Sequence, residues 1–321
     1  MPAFDTTPPP GLDEQSRAVL QDLIGWLKQA GYAFVTPTPA THARVVARND
    51  GAGGLADAFG WNRTFDGGAV DAALLQRLVA CGLVWEEGDR FRSRIRVSAL
   101  HGGLFAHSAY PTQDKDAVFL GPDSYRFADL IQRELARCPR GEGAHLVDIG
   151  AGAGVGAIVA SRCCPDLAIT MTDINPKAIA FARINARAAG VAADFVLADT
   201  LAPVEGALDI VLANPPYIID EDKRDYRDGG GMHGAAVAFG MAQDATARLA
   251  PQGRFILYTG SAILDGADPL RGRLAELATE RGCTLHYREI DPDVFGEELD
   301  NAAYADVDRI ALVSAVMERR A

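Results

Sequence analysis

The chain has 321 residues, room for two modest domains, with 23% charged residues and a formal net charge of −12. No apolar run reaches the ~18 residues that a membrane span needs, and Met1-Pro2-Ala3-Phe4-Asp5 lacks the basic and apolar regions of a signal peptide. The acidic balance disfavours a surface built to meet phosphates, and the five cysteines, without metal-type spacing, fit reduced thiols in a cytoplasm.

In chain order, Thr6 to Pro10 reads as a flexible lead-in. Residues 13–30 carry Val19, Leu20, Leu23, Ile24 and Leu27 at helical spacing, with Asp13 as N-cap and Gly31 as stop. Residues 49–68, rich in Gly, Asp and Asn, read as loops with at most a short helix. Val70 to Ala80 predicts a helix with Leu74, Leu75, Leu78 and Val79 inward, ended by Gly82. Leu83 to Phe91 then predicts strand, turn and strand around Gly88-Asp89. Helix, glycine and hairpin, at about 70–97, outline a winged-helix-like element, which suits an accessory lobe or a DNA reader. Arg90, Arg92, Arg94 and Arg96 alternate, so along one strand they would share a face, as a solvated edge or a basic patch. Residues 1–110 are thus expected to form a smaller N-terminal α+β lobe that covers or recognises the substrate, and 111–321 the catalytic domain.

Residues 100–118 read as a linker and entry strand. Gly121-Pro122 followed by Asp123-Ser124 predicts a turn and a helix N-cap, with the helix running to about Arg137. Leu146 to Ile149 is a buried strand running into Gly150, Gly152 and Gly154, then a helix from about Val155 to Cys164; glycines there allow a tight turn and close approach of a ligand. The next strand, Ala168 to Asp173, ends in an acid placed for two ribose hydroxyls. A third, Phe195 to Ala198, ends in Asp199-Thr200, where the acid can accept from an adenine amino group. Each acid alone is equally a helix cap or a loop charge.

A fourth strand, Leu208 to Leu212, runs into Ala213-Asn214-Pro215-Pro216-Tyr217-Ile218. Two prolines after an asparagine forbid helix and deny the ladder two donors. The chain must leave the sheet at that strand's C-terminal edge, where open α/β sheets place ligands. An amide, a free carbonyl and an aromatic ring at one point suit a planar NH2 group. Gly229-Gly230-Gly231 then predicts a freely moving loop or a substrate lid. A helix at about Ala235–Leu249, a turn at Pro251-Gln252-Gly253, a strand at Arg254–Tyr258, a helix at about Pro269–Arg281 and strands at Thr284–Ile290 and Asp308–Val316 complete the chain.

With Asp148, Asp173, Asp199 and Asn214 in this order and spacing, residues 144–260 resemble a class I S-adenosylmethionine-dependent methyltransferase. The Asn-Pro-Pro-Tyr-Ile form resembles the amino-group N-methyltransferases, which include protein-(glutamine-N5) and N6-adenine enzymes. The resemblance implies a doubly wound, seven-stranded Rossmann-like α/β sheet with an antiparallel final strand, and S-adenosyl-L-methionine as cofactor. It places Asp148, Gly150, Gly152 and Gly154 at the methionine part, Asp173 and Ile174 at the ribose, and Asp199 and Thr200 at the adenine. Phe119, Asp123 and Tyr125 would line the methionine end. Asn214 and the Pro215 carbonyl would hold the acceptor NH2, with Tyr217 stacked on it. The implied acceptor is a protein glutamine or a small-molecule nitrogen, ahead of rRNA or DNA bases on charge grounds; a non-catalytic regulator is the other alternative. No membrane partner is implied, and a homodimer through the lobe is compatible. The loop after Tyr217 departs from the release-factor enzymes, with Tyr226-Arg227-Asp228-Gly229 where they carry Arg-x-Glu-Pro.

Overall fold

The structure, a computed structural model, describes residues 12–48, 53–112, 114–137 and 141–321; the expected lead-in at Thr6 to Pro10 lies outside the described residues. The first helix, α1 (Glu14–Gln29), starts where Asp13 accepts from the Ser16 N–H at 2.8 Å and ends before Gly31 at φ 69°. Val19, Leu20, Leu23, Ile24 and Leu27 all face inward. Helices α2 (Pro39–Arg48) and α3 (Leu55–Phe59) follow, then α4 (Ala72–Ala80), capped by Asp71. The predicted hairpin is β1 (Val84–Glu87) with β2 (Arg90–Ser93).

Residues 100–118 are not a linker with an entry strand. β3 (Ile95–Leu100) and β4 (Gly103–Ser108) form a second antiparallel hairpin, turned at His101 and Gly102, both with positive φ. The four alternating arginines do not share a strand face either. Ser93 Oγ bridges the N–H and the carbonyl of Ile95, which breaks the strand between β2 and β3. Arg92 pairs with Glu87 and bonds the Asn62 carbonyl, and Arg94 lies over the Trp85 ring. Arg96 is buried among Gly60, Asn62 and His42, so the row is structural and offers no basic patch.

The rest of the chain is α5 (Pro122–Arg137), β5 (His145–Ile149), α6 (Val155–Cys163), β6 (Ala168–Asp173), α7 (Pro176–Ala189), β7 (Asp194–Leu197), β8 (Leu208–Ala213), α8 (Ala236–Arg248), β9 (Leu249–Ile263), α9 (Pro269–Glu280), β10 (Cys283–Asp291) and β11 (Arg309–Arg319). The last seven strands among these, β5 to β11, form one sheet of order β10-β11-β9-β8-β5-β6-β7. Strands β5 to β9 run parallel, and β11 is antiparallel to both β9 and β10. This is the expected doubly wound α/β sheet. The turn expected at Pro251-Gln252-Gly253 is a bulge within the long β9: the register against β8 jumps from Leu249 to Arg254. Gly253 is required there, since a Cβ would lie 2.7 Å from the Leu208 carbonyl oxygen.

Alternate residues of β8 serve two cores. Ile210 and Leu212 point into a cluster with Leu146, Phe181 and Ile158. Val211 and Ala213 point into the other, against Ala238 and Ala242 of α8 and Leu274 of α9. The first cluster continues without a break into Leu23, Leu78, Val97 and Phe105, so α1, α4, β3 and β4 share a core with one face of the sheet. Asn185 of α7 fastens this junction. Its amide exchanges bonds with both backbone groups of Ala106 in β4 and donates to the Ala153 carbonyl, at 2.8–2.9 Å. Among the described residues, no helix is long and apolar enough to cross a membrane.

Candidate active site

The chain runs from β5 outward to β6 and β7, then returns to lay β8 on the other side of β5. That reversal opens a crevice outside the carboxyl ends of β5 and β8. Asp199, Asp173, the glycine turn and Asn214 therefore follow β7, β6, β5 and β8 along one edge. At strand spacing this row spans roughly 15 Å.

Gly150, Gly152 and Gly154 have φ of 65°, 56° and 77°, a run that L side chains rarely adopt. A Cβ at Gly154 would press on Ala182 and Met171 at 3.3 Å, so this glycine lets α6 and α7 close together. A Cβ at Gly150 would meet only the Met241 methyl at 3.5 Å, and at Gly152 only its own turn, so the upper side of the turn is open. Asp173 Oδ2 accepts from the Gly152 N–H and Oδ1 from the Asn175 N–H, both at 2.9 Å. Burial holds its carboxyl above the usual carboxylate range, against the pull of those N–H groups. The next residue, Ile174, is 54% exposed, an apolar face at the rim of the crevice. Asp199 and Thr200, exposed, line a cavity of about 280 Å³ with Ile149, Val237 and Met241.

Asp148 departs from the expected contact with the methionine part. It is 2% exposed and lies beneath the turn, where Oδ2 accepts from the Ala157 N–H at 2.9 Å. Burial, reinforced by the Asp173 charge, pushes its carboxyl up to about 7. It supports the turn from below.

Asn214 is half-buried at the end of β8, and its amide makes no hydrogen bond to the described residues. Pro215 is buried behind it. Tyr217 is only 7% exposed, and its hydroxyl donates to Asp123 Oδ2 at 2.7 Å. Tyr258 donates to the other oxygen, Oδ1, at 2.8 Å. Burial first, then the Asp123 charge, push the Tyr217 phenol well above its ordinary value, so it remains a donor. Asp123 is not a helix cap: α5 starts at Pro122, and the acid lies in the first turn, aimed at the two tyrosines. One face of the Tyr217 ring rests on Gly260, where a Cβ would lie 2.2 Å from the ring. Phe295 stands edge-on to Tyr217, with ring centroids 5.8 Å apart.

Phe119 stacks on Tyr226 at 5.8 Å, while Tyr125 turns away, accepting from the Thr36 N–H of the N-terminal segment. The glycine-rich loop is packed back on the chain and is not a free lid. Gly229 N–H donates to the Ile218 carbonyl at 2.7 Å, and a Cβ at Gly229 would lie 2.7 Å from the Tyr217 Cα. Asp220 pairs with Arg224 and Arg227, and Arg227 reaches Glu298. Tyr258, Phe295, Tyr304 and Asn185 are the site-building residues that the sequence does not announce. Tyr258 carries the one available signal, a hydroxyl at the end of the otherwise apolar run Phe255-Ile256-Leu257.

The open glycine turn, the Asp173 carboxylate, the exposed Ile174 face and the Asp199 cavity follow one another along this edge of the sheet. Residues 129–264 match the family model of the methyltransferase small domain. The chain is 27% identical to a release factor glutamine methyltransferase of Deinococcus radiodurans, over 88% of this chain and 96% of that protein. It is 32% identical to the enzyme of that name from Neisseria gonorrhoeae, over 46% of this chain and 57% of that one. Among solved structures, Trm5b from Pyrococcus abyssi aligns with a TM-score of 0.49 at 16% identity, over 73% of this chain and 62% of that one. The sheet order and the sequence matches agree: residues 129–264 carry a methyltransferase domain within an α/β methyltransferase fold, and the chain is similar over most of its length to a release factor glutamine methyltransferase.

Proposed function

We propose that the enzyme methylates the planar side-chain amide of a protein glutamine, with a release factor as the acceptor. The observation that carries this reading is the Asn214 amide. It stands at the crevice with no hydrogen-bond partner among the described residues, near a tyrosine whose hydroxyl is already committed to Asp123. An Asn oxygen and the Pro215 carbonyl can accept the two N–H groups of an amide, leaving the nitrogen lone pair aimed at the donor. S-adenosylmethionine supplies the methyl group from a sulfonium. With the cofactor bound, the nitrogen lone pair would bond the methyl carbon as the carbon–sulfur bond breaks onto sulfur, and the nitrogen would then lose its proton to water. Alignment is the main contribution of the protein to such a transfer. Asp173 would hold the ribose, Asp199 and Thr200 the base, and the glycine turn the methionine part.

The similarity to the Deinococcus enzyme supports a protein acceptor, because it spans nearly all of that enzyme. Charge supports it as well. Residues 218–228 carry five acids against three basic residues, and residues 291–308 carry seven acids with no Lys or Arg. Both segments adjoin Tyr217, and such a rim repels phosphate backbones. Residues 1–110, with the helix and hairpin at about 70–97, would act as the recognition lobe. The test is to incubate the enzyme with methyl-labelled S-adenosylmethionine and a purified bacterial release factor, then map the label by peptide mass spectrometry. Methyl on a glutamine side-chain nitrogen is the expected result; label confined to nucleic acid or to small molecules in a parallel extract would refute it.

A further inference from the structure

We propose that Phe295 is a specificity-determining residue of the acceptor pocket, its ring and that of Tyr217 together bounding the space that the acceptor's planar nitrogen group enters. This rests on the N-methylation reading above. Four observations carry it. The rings of Phe295 and Tyr217 meet edge to face, 5.8 Å apart at 66°. Phe295 has φ 55° and ψ 41°, a left-handed conformation that is an outlier for a bulky side chain and that persists only where neighbours impose it. The ring is only partly buried, packed at the margin of the core with one side left toward the crevice region beside Tyr217.

The fourth observation is the frame that holds it. The segment between β10 and β11 is locked to the loop after Tyr217 at three further points. Glu298 pairs with Arg227, the Tyr304 hydroxyl accepts from the Ile219 N–H at 2.8 Å, and Asp306 meets His233 at 3.1 Å. Next to Phe295, the Val294 N–H donates to the Ile310 carbonyl and the Glu298 N–H to the Phe295 carbonyl, each at 2.8 Å. Met232 and His233, on the facing loop, also have positive φ. Strain is concentrated where the two segments meet beside Tyr217, as expected of a constrained pocket wall.

The experiment compares wild type with Phe295→Asn, since Asn adopts the left-handed conformation readily while lacking the ring. Initial rates are measured against concentration of the release factor, cofactor affinity by calorimetry, and Tm by thermal melting. The expected result is a loss of about tenfold in kcat/KM, carried by acceptor KM, the size of one lost aromatic contact. Cofactor Kd stays within about twofold, well inside the tenfold of a lost contact. An unchanged acceptor KM, or a cofactor Kd that rises in parallel, would overturn the proposal. A fall in Tm of more than about 5 °C would mark Phe295 as a packing residue and overturn it whether or not the acceptor is right. If wild type labels no release factor, the acceptor reading fails on its own. The proposal is then decided by the melts, where an unchanged or higher Tm in Phe295→Asn supports a strained wall.

Discussion

Replacing Asp148 by Asn isolates the cost of supporting the glycine turn with a buried acid. Asp148 is 2% exposed, one N–H donates to it, and Gly156 sits so close that a Cβ there would lie 2.7 Å from Oδ2. Burial raises its carboxyl to about 7 in the folded chain. In the unfolded chain it titrates at about 3.9, so the native state binds the proton more tightly, by on the order of 4 kcal/mol. The sign follows from linkage. Below about pH 4 both states are protonated and there is no penalty; as pH rises from about 4 to about 7, the unfolded state ionises first and native stability falls. Asn keeps the acceptor for the Ala157 N–H and carries no charge. Asp148→Asn should therefore gain stability relative to wild type as pH rises, by about 2 kcal/mol between about pH 5.5 and pH 8. Urea unfolding of both proteins at the two pH values measures this, because every group outside the Asp148 neighbourhood contributes equally to both. A stability difference independent of pH, or one that falls as pH rises, would refute the assignment of Asp148 as a buried, proton-binding support.

Two other substitutions test the site from different sides. Gly260→Ala drives a methyl into the Tyr217 ring, 2.2 Å away; it should cost about 1–3 kcal/mol in unfolding and cut kcat more than it changes cofactor Kd. Wild-type kcat in that variant would show that the Tyr217 position is immaterial. Asp173→Ala removes the acceptor of the Gly152 N–H together with the proposed ribose ligand. Cofactor Kd should rise at least about tenfold by calorimetry, since a hydrogen bond to a charged group is worth about 1.5–3 kcal/mol; an unchanged Kd would remove Asp173 from the cofactor site.

The strand ends were legible because apolar β-branched runs stop at polar tips, and the Asn-Pro-Pro run cannot continue either regular structure. From that much the sheet and the row from Asp199 to Asn214 follow. The β3–β4 hairpin was not legible because β3 is buried at five of its six positions, which erases the period of two. Helix α2 buries only His42 and so lacks an apolar stripe. The arginine row misled because Ser93 satisfies Ile95 locally and ends the strand. Tyr258 acts through a partner 135 residues away and Asn185 through one 79 away, so neither has a local pattern to read. Phe295 is set by a frame that exists only once two loops have met.

The central claim is that Asn214 acts on the acceptor nitrogen and not on the cofactor. It is tested most directly by measuring methyl transfer and cofactor affinity together in Asn214→Ala. The account predicts turnover reduced by roughly 10²–10⁴, the scale of a lost positioning and polarising group, with cofactor Kd within about twofold of wild type. Turnover equal to wild type, or a Kd that weakens as much as the rate, would contradict it.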